Sequence, residues 1–265
     1  MQSPSPAEIA AAALGESVER IVSVEEIKHG LTNCSWRVRT HVDDVIVRIS
    51  AAEVGALRID RESEARILRA VAAAGIGAPV VQCDPAGQAL VTRYMGPPWT
   101  PEAAAEEVNI RRLADLLRRL HRLEPPAGVR AVDFADAAAG YMATLQAYGA
   151  AGELTSDEVR DRARAASNAL RKRKNVRLCH NDVHHLNILD AGNLRLIDWE
   201  YAGMGEPLFD LASVCVYHAY AGAQRQTLLS VYYNQAIADE ESYLAAALWL
   251  FEYVRDLWMA VRELV

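Results

Sequence analysis

The chain has 265 residues, of which 51% are hydrophobic and 24% are charged, and its formal net charge is −7. The apolar fraction excludes an intrinsically disordered chain, and the length is enough for two lobes or one large domain with a sizeable core. A nucleic-acid-binding protein is expected to carry a basic excess, so the 35 acidic against 28 basic residues argue against a nucleic-acid partner. No apolar run approaches the roughly 18–20 residues that a membrane-spanning helix needs.

The cysteines are widely spaced and include no Cys-x-x-Cys pair; they are Cys34, Cys83, Cys179 and Cys215. This usage is typical of a reducing compartment rather than of a disulfide-stabilised secreted domain. Glu8 stands where a signal peptide carries positive charge, and the apolar stretch at 10–14 is too short for the core of such a peptide. We therefore expect a cytoplasmic protein with no membrane partner.

The first part of the chain has the pattern of a small β-sheet with helices. A serine N-cap predicts a short alanine-rich helix over 5–14, and apolar residues at helical spacing predict the main helix over 59–74. Short connections of hairpin length link neighbouring strands, which favours antiparallel pairing. The expected strands are 21–28, 35–40, 45–49, 80–83 and 88–94.

The rest of the chain is mostly helical. The breaker Gly96-Pro97-Pro98-Trp99 is the expected joint between two lobes. Beyond it, helices are expected at 110–123, 134–150 and 156–171, then a β-rich island at 176–178, 188–189 and 194–198, and then helices to 265. We predict an α+β fold with two lobes. Residues 1–95 form a nucleotide-binding lobe with a small antiparallel sheet and one main helix, and residues 96–265 form a large, mostly α-helical catalytic and substrate-binding lobe.

Polar side chains concentrate between the strands of this β-rich island. Asp198 ends an apolar strand and Asn187 directly precedes another, so a carboxylate and an amide oxygen are expected to lie close together. Oxygen ligands of this kind suit Mg²⁺, which takes one or two carboxylates and phosphates and keeps several waters. Asp182, five residues before Asn187, is then free to act as a general base.

Two other interpretations of the island stay open on the residues alone. One is a zinc-dependent hydrolase, because nitrogen, sulfur and oxygen donors are present; they are Cys179, His180, Asp182, His184 and His185. Against it, adjacent histidines on an extended loop point apart, and no remote Cys/His pair completes the ligand set. The other is a purely structural polar loop, which would place many polar groups beside buried strands at a cost in free energy.

The spacing His180-x-Asp182-x-x-x-x-Asn187, with Asp198 eleven residues further on, resembles the Brenner motif and metal-binding aspartate of the kinase-like small-molecule phosphotransferases. Aminoglycoside phosphotransferases, choline and ethanolamine kinases and thiamine kinases share this motif. Two segments most resemble the choline/ethanolamine kinase branch, namely Ile197-Asp198-Trp199-Glu200-Tyr201 and Gly30-Leu31-Thr32-Asn33-Cys34-Ser35-Trp36. The resemblance implies a protein-kinase-like fold that uses ATP and Mg²⁺.

Roles follow from the resemblance residue by residue. Asp182 is the implied catalytic base, and Asn187 and Asp198 are the implied Mg²⁺ ligands. Arg48 stands where protein kinases carry their phosphate-binding lysine, with Glu64 as its partner, and the hinge at 92–95 offers backbone groups to adenine. The implied nucleotide-binding residues are Gly30, Thr32, Asn33, Arg48, Glu64, Arg93 and Met95. Asp210 matches an acid that braces the catalytic loop.

The last predicted helix supplies candidate residues for the acceptor substrate. Ammonium groups bind to aromatic faces and nearby carboxylates, so the substrate residues are predicted to be Glu200, Trp249 and Trp258. Choline kinases resemble one another in a Trp-x-x-Trp pair near this position. Trp258 matches the second tryptophan, and Arg255 stands at the first.

The expected function is therefore transfer of the ATP γ-phosphate to a hydroxyl of a small cationic amino alcohol such as choline or ethanolamine. Thiamine kinase and aminoglycoside phosphotransferase are the alternatives within the superfamily. A nucleotide-binding pseudoenzyme is the alternative of another class.

Overall fold

The computed structural model describes residues 4–28, 33–50, 57–150, 152–234 and 240–264. Within these residues, five strands form one antiparallel sheet in the order β1-β2-β3-β5-β4. They are β1 (Ser23–Ile27), β2 (Asn33–Arg39), β3 (Asp44–Ser50), β4 (Val80–Asp84) and β5 (Ala89–Arg93). The antiparallel pairing that the short connections predict is therefore confirmed.

Alternation along β3 gives the sheet two different faces. Val45 and Val47 are fully buried on the face that packs against the N-terminal helix α1 (Pro6–Leu14). Ile46 and Arg48 point the other way and line the central cavity of the molecule. Because successive strand residues project to opposite faces, one short segment supplies both apolar packing and a charged group of the site.

Helix α1 is fixed at both ends by its own sequence. Ser5 Oγ accepts the Glu8 backbone N–H, and the Glu8 carboxylate accepts the Ser5 backbone N–H in return, which completes a capping box. Gly15 ends the helix in the left-handed conformation, with φ of 69°. Ala10 and Ala11 are buried, so their small side chains let the helix lie close to the sheet.

The main helix of this lobe, α2 (Arg61–Ala73), carries a buried charge toward the sheet. Its N-cap Asp60 accepts the Ser63 backbone N–H at 2.9 Å. The apolar side packs through Ile67 and its neighbours, as the helical spacing predicts. Glu64, in the first turn, is only 3% exposed, so its carboxylate must be paired within the protein.

The helices of the larger lobe follow the joint at 96–99. The Trp99 backbone N–H donates to the Ile188 carbonyl at 2.9 Å, which fastens the joint to the β-rich island. The helices are α3 (Pro101–Ala105), α4 (Glu107–Leu120), α5 (Phe134–Ala147), α6 (Asp157–Arg171), α7 (Leu208–Tyr217), α8 (Gly222–Tyr233) and α9 (Glu240–Arg262). The two-lobed α+β architecture is therefore confirmed. No helix among the residues described is long and apolar enough to cross a membrane.

Two small hairpin-like pairs form the β-rich island and position the polar residues. β6 (Arg177–Cys179) pairs with β9 (Gly203–Gly205), and β7 (Ile188–Asp190) pairs with β8 (Leu194–Leu196). The polar loop after β6 and the turn after β8 therefore lie side by side. β9 was not predicted, because a Gly-Met-Gly segment has neither the β-branched residues nor the alternation of a strand.

Close packing at Gly203 generates a test of this arrangement. A Cβ atom at Gly203 would lie 2.8 Å from the Arg130 carbonyl oxygen and 2.5 Å from Val132 Cγ2. We expect Gly203→Ala to lower the free energy of unfolding by about 1–3 kcal/mol, because a backbone atom cannot yield as a flexible side chain does. Urea unfolding measures this difference. Gly152→Ala is the control, since a Cβ there meets nothing within 4 Å, and equal unfolding midpoints for the two variants would contradict the packing argument.

Candidate active site

A cavity of about 640 Å³ lies between the five-stranded sheet and the β-rich island. This volume is in the range of small-molecule sites. It is lined by most of the residues that the sequence singles out, namely Arg48, Arg93, Met95, Asp182, Asn187, Asp198, Glu200 and Trp258. Gly30 and Thr32 lie outside the described residues.

Asp182 lies on the loop between β6 and β7, with its carboxylate held by three neighbours. Tyr217 Oη donates to Oδ1 at 2.8 Å, Asn187 Nδ2 donates to Oδ2 at 3.2 Å, and His184 Nε2 lies 3.6 Å from Oδ2. Burial alone would raise the pKa of Asp182. The nearby His184 imidazole and the hydrogen bond from the Tyr217 hydroxyl hold that pKa below its ordinary value. Asp182 is therefore ionised at neutral pH.

His180 orients this loop as a neutral imidazole. Its Nε2–H donates to the Ile197 carbonyl at 2.8 Å, which leaves Nδ1 to accept the Asp182 backbone N–H at 3.3 Å. Burial lowers the pKa of His180, in keeping with this neutral form. The histidine thereby connects the Asp182 loop to the strand segment that precedes Asp198.

Asp210, which the resemblance implies as a structural support of this loop, bonds its backbone directly. Its carboxylate accepts the backbone N–H groups of His180 at 2.9 Å and Asn181 at 2.6 Å, and it also bonds His121 Nε2 at 2.8 Å. Burial would raise the pKa of Asp210, but the hydrogen bond and charge of His121 keep it below its usual value. These contacts fix the backbone immediately before Asp182.

Asp198 lies at the turn after β8 in a strained conformation. Its φ is 64°, in the left-handed region that non-glycine residues seldom adopt, and Asn181 across the site has φ of 69°. Burial raises the pKa of Asp198 well above its usual value, and the nearby Glu200 carboxylate raises it further, while Arg48 opposes them. A carboxylate in this setting is stabilised by an added positive charge.

The donor atoms near Asp198 fit a magnesium ion. Both hydrogen bonds of the Asn187 amide use Nδ2, which donates to the main chain and the side chain of Asp182. Its Oδ1 atom is therefore the one left to bind a cation. The Asp198 side chain is 32% exposed in the cavity, so its carboxylate is accessible. One amide oxygen and one accessible carboxylate match the few protein oxygens that Mg²⁺ takes beside phosphate and water.

Arg48 connects the sheet to both the main helix and Asp198. Its Nη2 donates to Glu64 Oε2 at 2.9 Å and its Nη1 donates to Asp198 Oδ1 at 3.0 Å. Burial opposes its charge, but the Glu64 and Asp198 carboxylates raise the pKa of Arg48. The pairing of Arg48 with Glu64 that the resemblance implies is present in this geometry.

Arg61 extends this set of charges, although the sequence analysis did not select it. Its Nη1 donates to Glu64 Oε2 at 2.7 Å and to Glu200 Oε2 at 3.1 Å, and its Nη2 donates to Asn33 Oδ1 at 2.9 Å. Asn33 Nδ2 in turn donates to Glu200 at 2.8 Å. Asn33 and Glu200, predicted for nucleotide and substrate, therefore meet each other. The spacing of Arg61 and Glu64 at i and i+3 was the available signal.

The hinge offers two backbone groups to a planar ligand. The Arg93 backbone N–H donates to the Pro79 carbonyl at 2.9 Å, but Pro79 has no N–H to donate back to the Arg93 carbonyl. The Met95 backbone N–H has no main-chain partner within the described part of the chain. The apolar side chains of Ile46 and Leu196 also line this part of the cavity. A carbonyl and an N–H beside an apolar slot suit an adenine ring.

Aromatic side chains line the opposite end of the cavity. Trp258 Nε1 donates to the Tyr201 hydroxyl at 2.8 Å, and the two rings pack edge to face with centroids 6.4 Å apart. Tyr217 and Phe251 form a second edge-to-face pair at 5.6 Å. Tyr217 was missed because nothing in the sequence relates the end of α7 to Asp182.

Trp249 does not line this cavity, so the structure does not bring it together with Trp258, and its contact with a substrate stays a prediction. It stacks on Tyr253 at 5.4 Å and lies under the Arg162 guanidinium in a separate surface cleft. Nine residues at about 100° each place Trp249 and Trp258 on opposite sides of α9. Glu252 and Asp256 follow Trp249 by three and seven residues, which puts them on the same side of α9, and they line the same cleft.

Comparisons with known proteins identify the family. Residues 23–248 match the model of the phosphotransferase enzyme family. Protein LicA of Haemophilus influenzae is 39% identical over 61 residues, which span 23% of this chain and 23% of that protein. The aligned segment thus covers about a quarter of this curated relative.

Two solved structures show the same fold. Choline kinase LicA from Streptococcus pneumoniae has a TM-score of 0.78 and 20% identity, covering 96% of this chain and 90% of that chain. A choline/ethanolamine kinase family protein from Mesorhizobium loti has a TM-score of 0.75 and 24% identity, covering 97% and 86%. The kinase-like fold implied by the motif is therefore confirmed. Since the family model also matches most of its length, the chain belongs to the phosphotransferase enzyme family.

Proposed function

We propose that this phosphotransferase is an ATP- and Mg²⁺-dependent kinase that phosphorylates a hydroxyl of a small amino alcohol carrying a positive charge, as choline and ethanolamine do. The observation that carries the proposal is the convergence of Asp182, Asn187 and Asp198 in one cavity, with Arg48 bonded to Asp198. In this proposal residues 1–95 bind the nucleotide, and residues 96–265 supply catalysis and the acceptor site.

ATP binds with its adenine at the hinge. The Arg93 carbonyl accepts from the exocyclic amine, and the Met95 N–H donates to a ring nitrogen. The phosphates then extend along β3 toward Arg48. The guanidinium group of Arg48 has several N–H donors, so it can bind the Glu64 carboxylate and phosphate oxygens at the same time. Asn187 and Asp198 would hold Mg²⁺, and the bound ion would supply positive charge to the phosphates and the leaving ADP.

Asp182 acts on the acceptor hydroxyl. Tyr217 Oη, 2.8 Å from Oδ1, occupies a hydrogen-bonding position that a substrate hydroxyl can also use. The acceptor oxygen attacks the γ-phosphorus, the bond from that phosphorus to the β–γ bridging oxygen breaks, and the hydroxyl proton passes to the Asp182 carboxylate. His180 and Asp210 contribute by fixing the loop, because misplacement of the base reduces the rate of an in-line transfer.

The aromatic end of the cavity suits the ammonium group of the acceptor. The Tyr201 and Trp258 rings present negative π faces, and a cation over such a face is stabilised by about 0.5–2 kcal/mol. The carboxylates of Asp182 and Glu200 line the same cavity. Glu200 contributes through its negative charge, since its carboxylate is engaged by Arg61 and Asn33.

The first test of this function replaces the base. We expect Asp182→Asn to reduce phosphate transfer to choline or ethanolamine by at least about 100-fold, because general-base catalysis contributes on the order of 10²–10⁴. ATP with Mg²⁺ should still raise the melting temperature of this variant, since Asp182 does not contact the hinge. Coupled ADP formation and thermal shift with ATP measure the two effects.

The matched control for the base is Asp161→Asn, an exposed aspartate of α6, which should retain full turnover. Undiminished turnover in Asp182→Asn would remove Asp182 from the mechanism. Loss of ATP-dependent stabilisation in the same variant would show that the residue supports nucleotide binding instead.

The second test concerns pH. Because the pKa of Asp182 is lowered, the ionised base persists as the pH falls, and kcat/KM for the acceptor should decline only below the ordinary aspartate range. His184→Gln removes the main partner that lowers this pKa, so the acid limb of the pH–rate profile should move to higher pH. His41→Gln, an exposed histidine in the β2–β3 connection, is the control and should leave the profile in place. An acid limb that does not move in His184→Gln would contradict this role.

A further inference from the structure

Three arginines line the acceptor end of the cavity, where a purely cationic substrate would bind. They are Arg58, Arg130 and Arg255, and they share this end with Tyr201, Tyr217 and Trp258. Positive side chains around a site for a positive ligand oppose binding unless they are neutralised or serve a second group. The partners of each arginine therefore decide what the site can hold.

Arg130 is fully engaged by the protein backbone. Its Nε donates to the Ala202 carbonyl at 3.2 Å, its Nη2 donates to the Glu200 carbonyl at 3.1 Å, and its Nη1 donates to the Arg58 carbonyl. Burial lowers the pKa of Arg130, and no carboxylate among the described residues lies within ion-pair distance of it. Its hydrogen bonds are therefore structural, and its guanidinium has no ion-pair partner among the described residues.

Arg58 adds an exposed positive charge. Its guanidinium lies against Gly140 of α5, where no side chain stands in the way. In the part of the chain that the structure describes, its side chain makes no ion pair. The acceptor end thus has two cationic groups without a carboxylate partner before Arg255 is considered.

Arg255 lies on the wall of α9 that forms the cavity. It follows Phe251 by four residues and precedes Trp258 by three, which places all three on one side of the helix. Its ion partner is Asp256, the next residue, at 2.9 Å, and both side chains are substantially exposed, at 34% and 48%. An exposed ion pair of this kind contributes at most about 1 kcal/mol. The Arg255 side chain can therefore leave Asp256 and bind a ligand with only a small loss of free energy.

Arg255 is also close to the catalytic base through Tyr217. Burial and the Asp182 carboxylate raise the pKa of Tyr217, and the charge of Arg255 acts in the opposite direction. Tyr217 donates to Asp182 at 2.8 Å. Arg255, Tyr217 and Asp182 therefore line one cavity, where a single small acceptor can meet them.

We propose that the acceptor is zwitterionic: a hydroxylated amine that also bears a carboxylate, such as a hydroxy-amino acid, with the carboxylate bound by Arg255. The ammonium lies against Tyr201 and Trp258, the hydroxyl lies at Asp182, and the guanidinium fork takes the carboxylate. Arg58 and Arg130 add favourable long-range charge. This inference rests on the proposed function and narrows its substrate class. Arg255 also discriminates against amino alcohols that lack the anion, because it then faces only a positive group.

Matched pairs of acceptors separate the carboxylate from the rest of the molecule. Serine differs from ethanolamine by one carboxylate, and carnitine provides a carboxylate-bearing counterpart of choline. We would measure kcat/KM for these four acceptors by coupled ADP formation at saturating ATP and Mg²⁺. The variants are Arg255→Gln, Arg255→Lys and, as control, Arg164→Gln, an exposed arginine of α6 outside the cavity.

We expect Arg255→Gln to change kcat/KM in opposite directions for the two classes of acceptor. A carboxylate-bearing acceptor should be preferred by the unsubstituted enzyme, and Arg255→Gln should lower its kcat/KM by about 10- to 100-fold, as for loss of a charge-assisted hydrogen bond. The same variant should raise kcat/KM for ethanolamine or choline. Arg255→Lys should keep the preference in weakened form, since a point charge replaces the fork, and Arg164→Gln should match the parent enzyme.

Three outcomes overturn the inference, and they are distinguishable from one another. Turnover of ethanolamine or choline without turnover of serine or carnitine would reject the zwitterionic acceptor and keep the proposed kinase. Absence of turnover with all four acceptors, while ATP still stabilises the protein, would reject both the inference and the proposed acceptor class. Equal effects of Arg255→Gln on the two classes would also reject it, because an unspecific structural role would reduce both alike.

Discussion

A buried chain of alternating charges joins the two lobes, and the site depends on it. Asp198 bonds Arg48, Arg48 bonds Glu64, Glu64 bonds Arg61 and Arg61 bonds Glu200. The inner members, Arg48, Glu64 and Arg61, each have an opposite charge on both sides, which offsets the several kcal/mol that burial of an ion costs. Removal of either arginine breaks two of these ion pairs at once, and breaking a buried pair by removing one partner costs about 3–5 kcal/mol. The position of Asp198 against the sheet is therefore coupled to the position of α2.

The catalytic loop is fixed independently, from the helical side. Asp210 holds two successive backbone N–H groups ahead of Asp182, and His180 holds a third. Three backbone contacts within three residues hold the left-handed conformation of Asn181, which asparagine and aspartate adopt more readily than other non-glycine residues. Asp198 adopts the same conformation where the charge chain ends. Left-handed backbone thus occurs directly before Asp182 and at Asp198, and it directs both carboxylates to the cavity.

The sequence predicts the site correctly where the placement of a side chain depends only on its near neighbours in the chain. The spacing from His180 to Asn187 fixes which side chains share a loop, and strand alternation puts Arg48 on the cavity face of β3. It failed where the outcome depends on contacts between distant residues: Arg61 meets Glu200 across 139 positions, and Tyr217 meets Asp182 from another helix. The separation of Trp249 from Trp258 is different in kind. Nine residues of helix place the two on opposite sides of α9, so the sequence itself contained the information that they do not share one cavity.

The two ends of the cavity are under different constraints. At the end proposed for the nucleotide, Arg48 is buried and bonded to both Glu64 and Asp198, and the Arg93 backbone N–H is bonded to Pro79, so these groups have little freedom. At the acceptor end, Arg255 is held only by an exposed pair with Asp256 on the surface of α9. Its replacement changes neither the charge chain nor the catalytic loop, because it contacts neither. In the proposed acceptor site, substitution at this one helical position would therefore change the class of alcohol that is bound, while the contacts of Asp182, Asn187 and Asp198 stay in place. On that proposal, Arg255 at the position where choline kinases resemble one another in a tryptophan changes the acceptor and leaves the rest of the site intact.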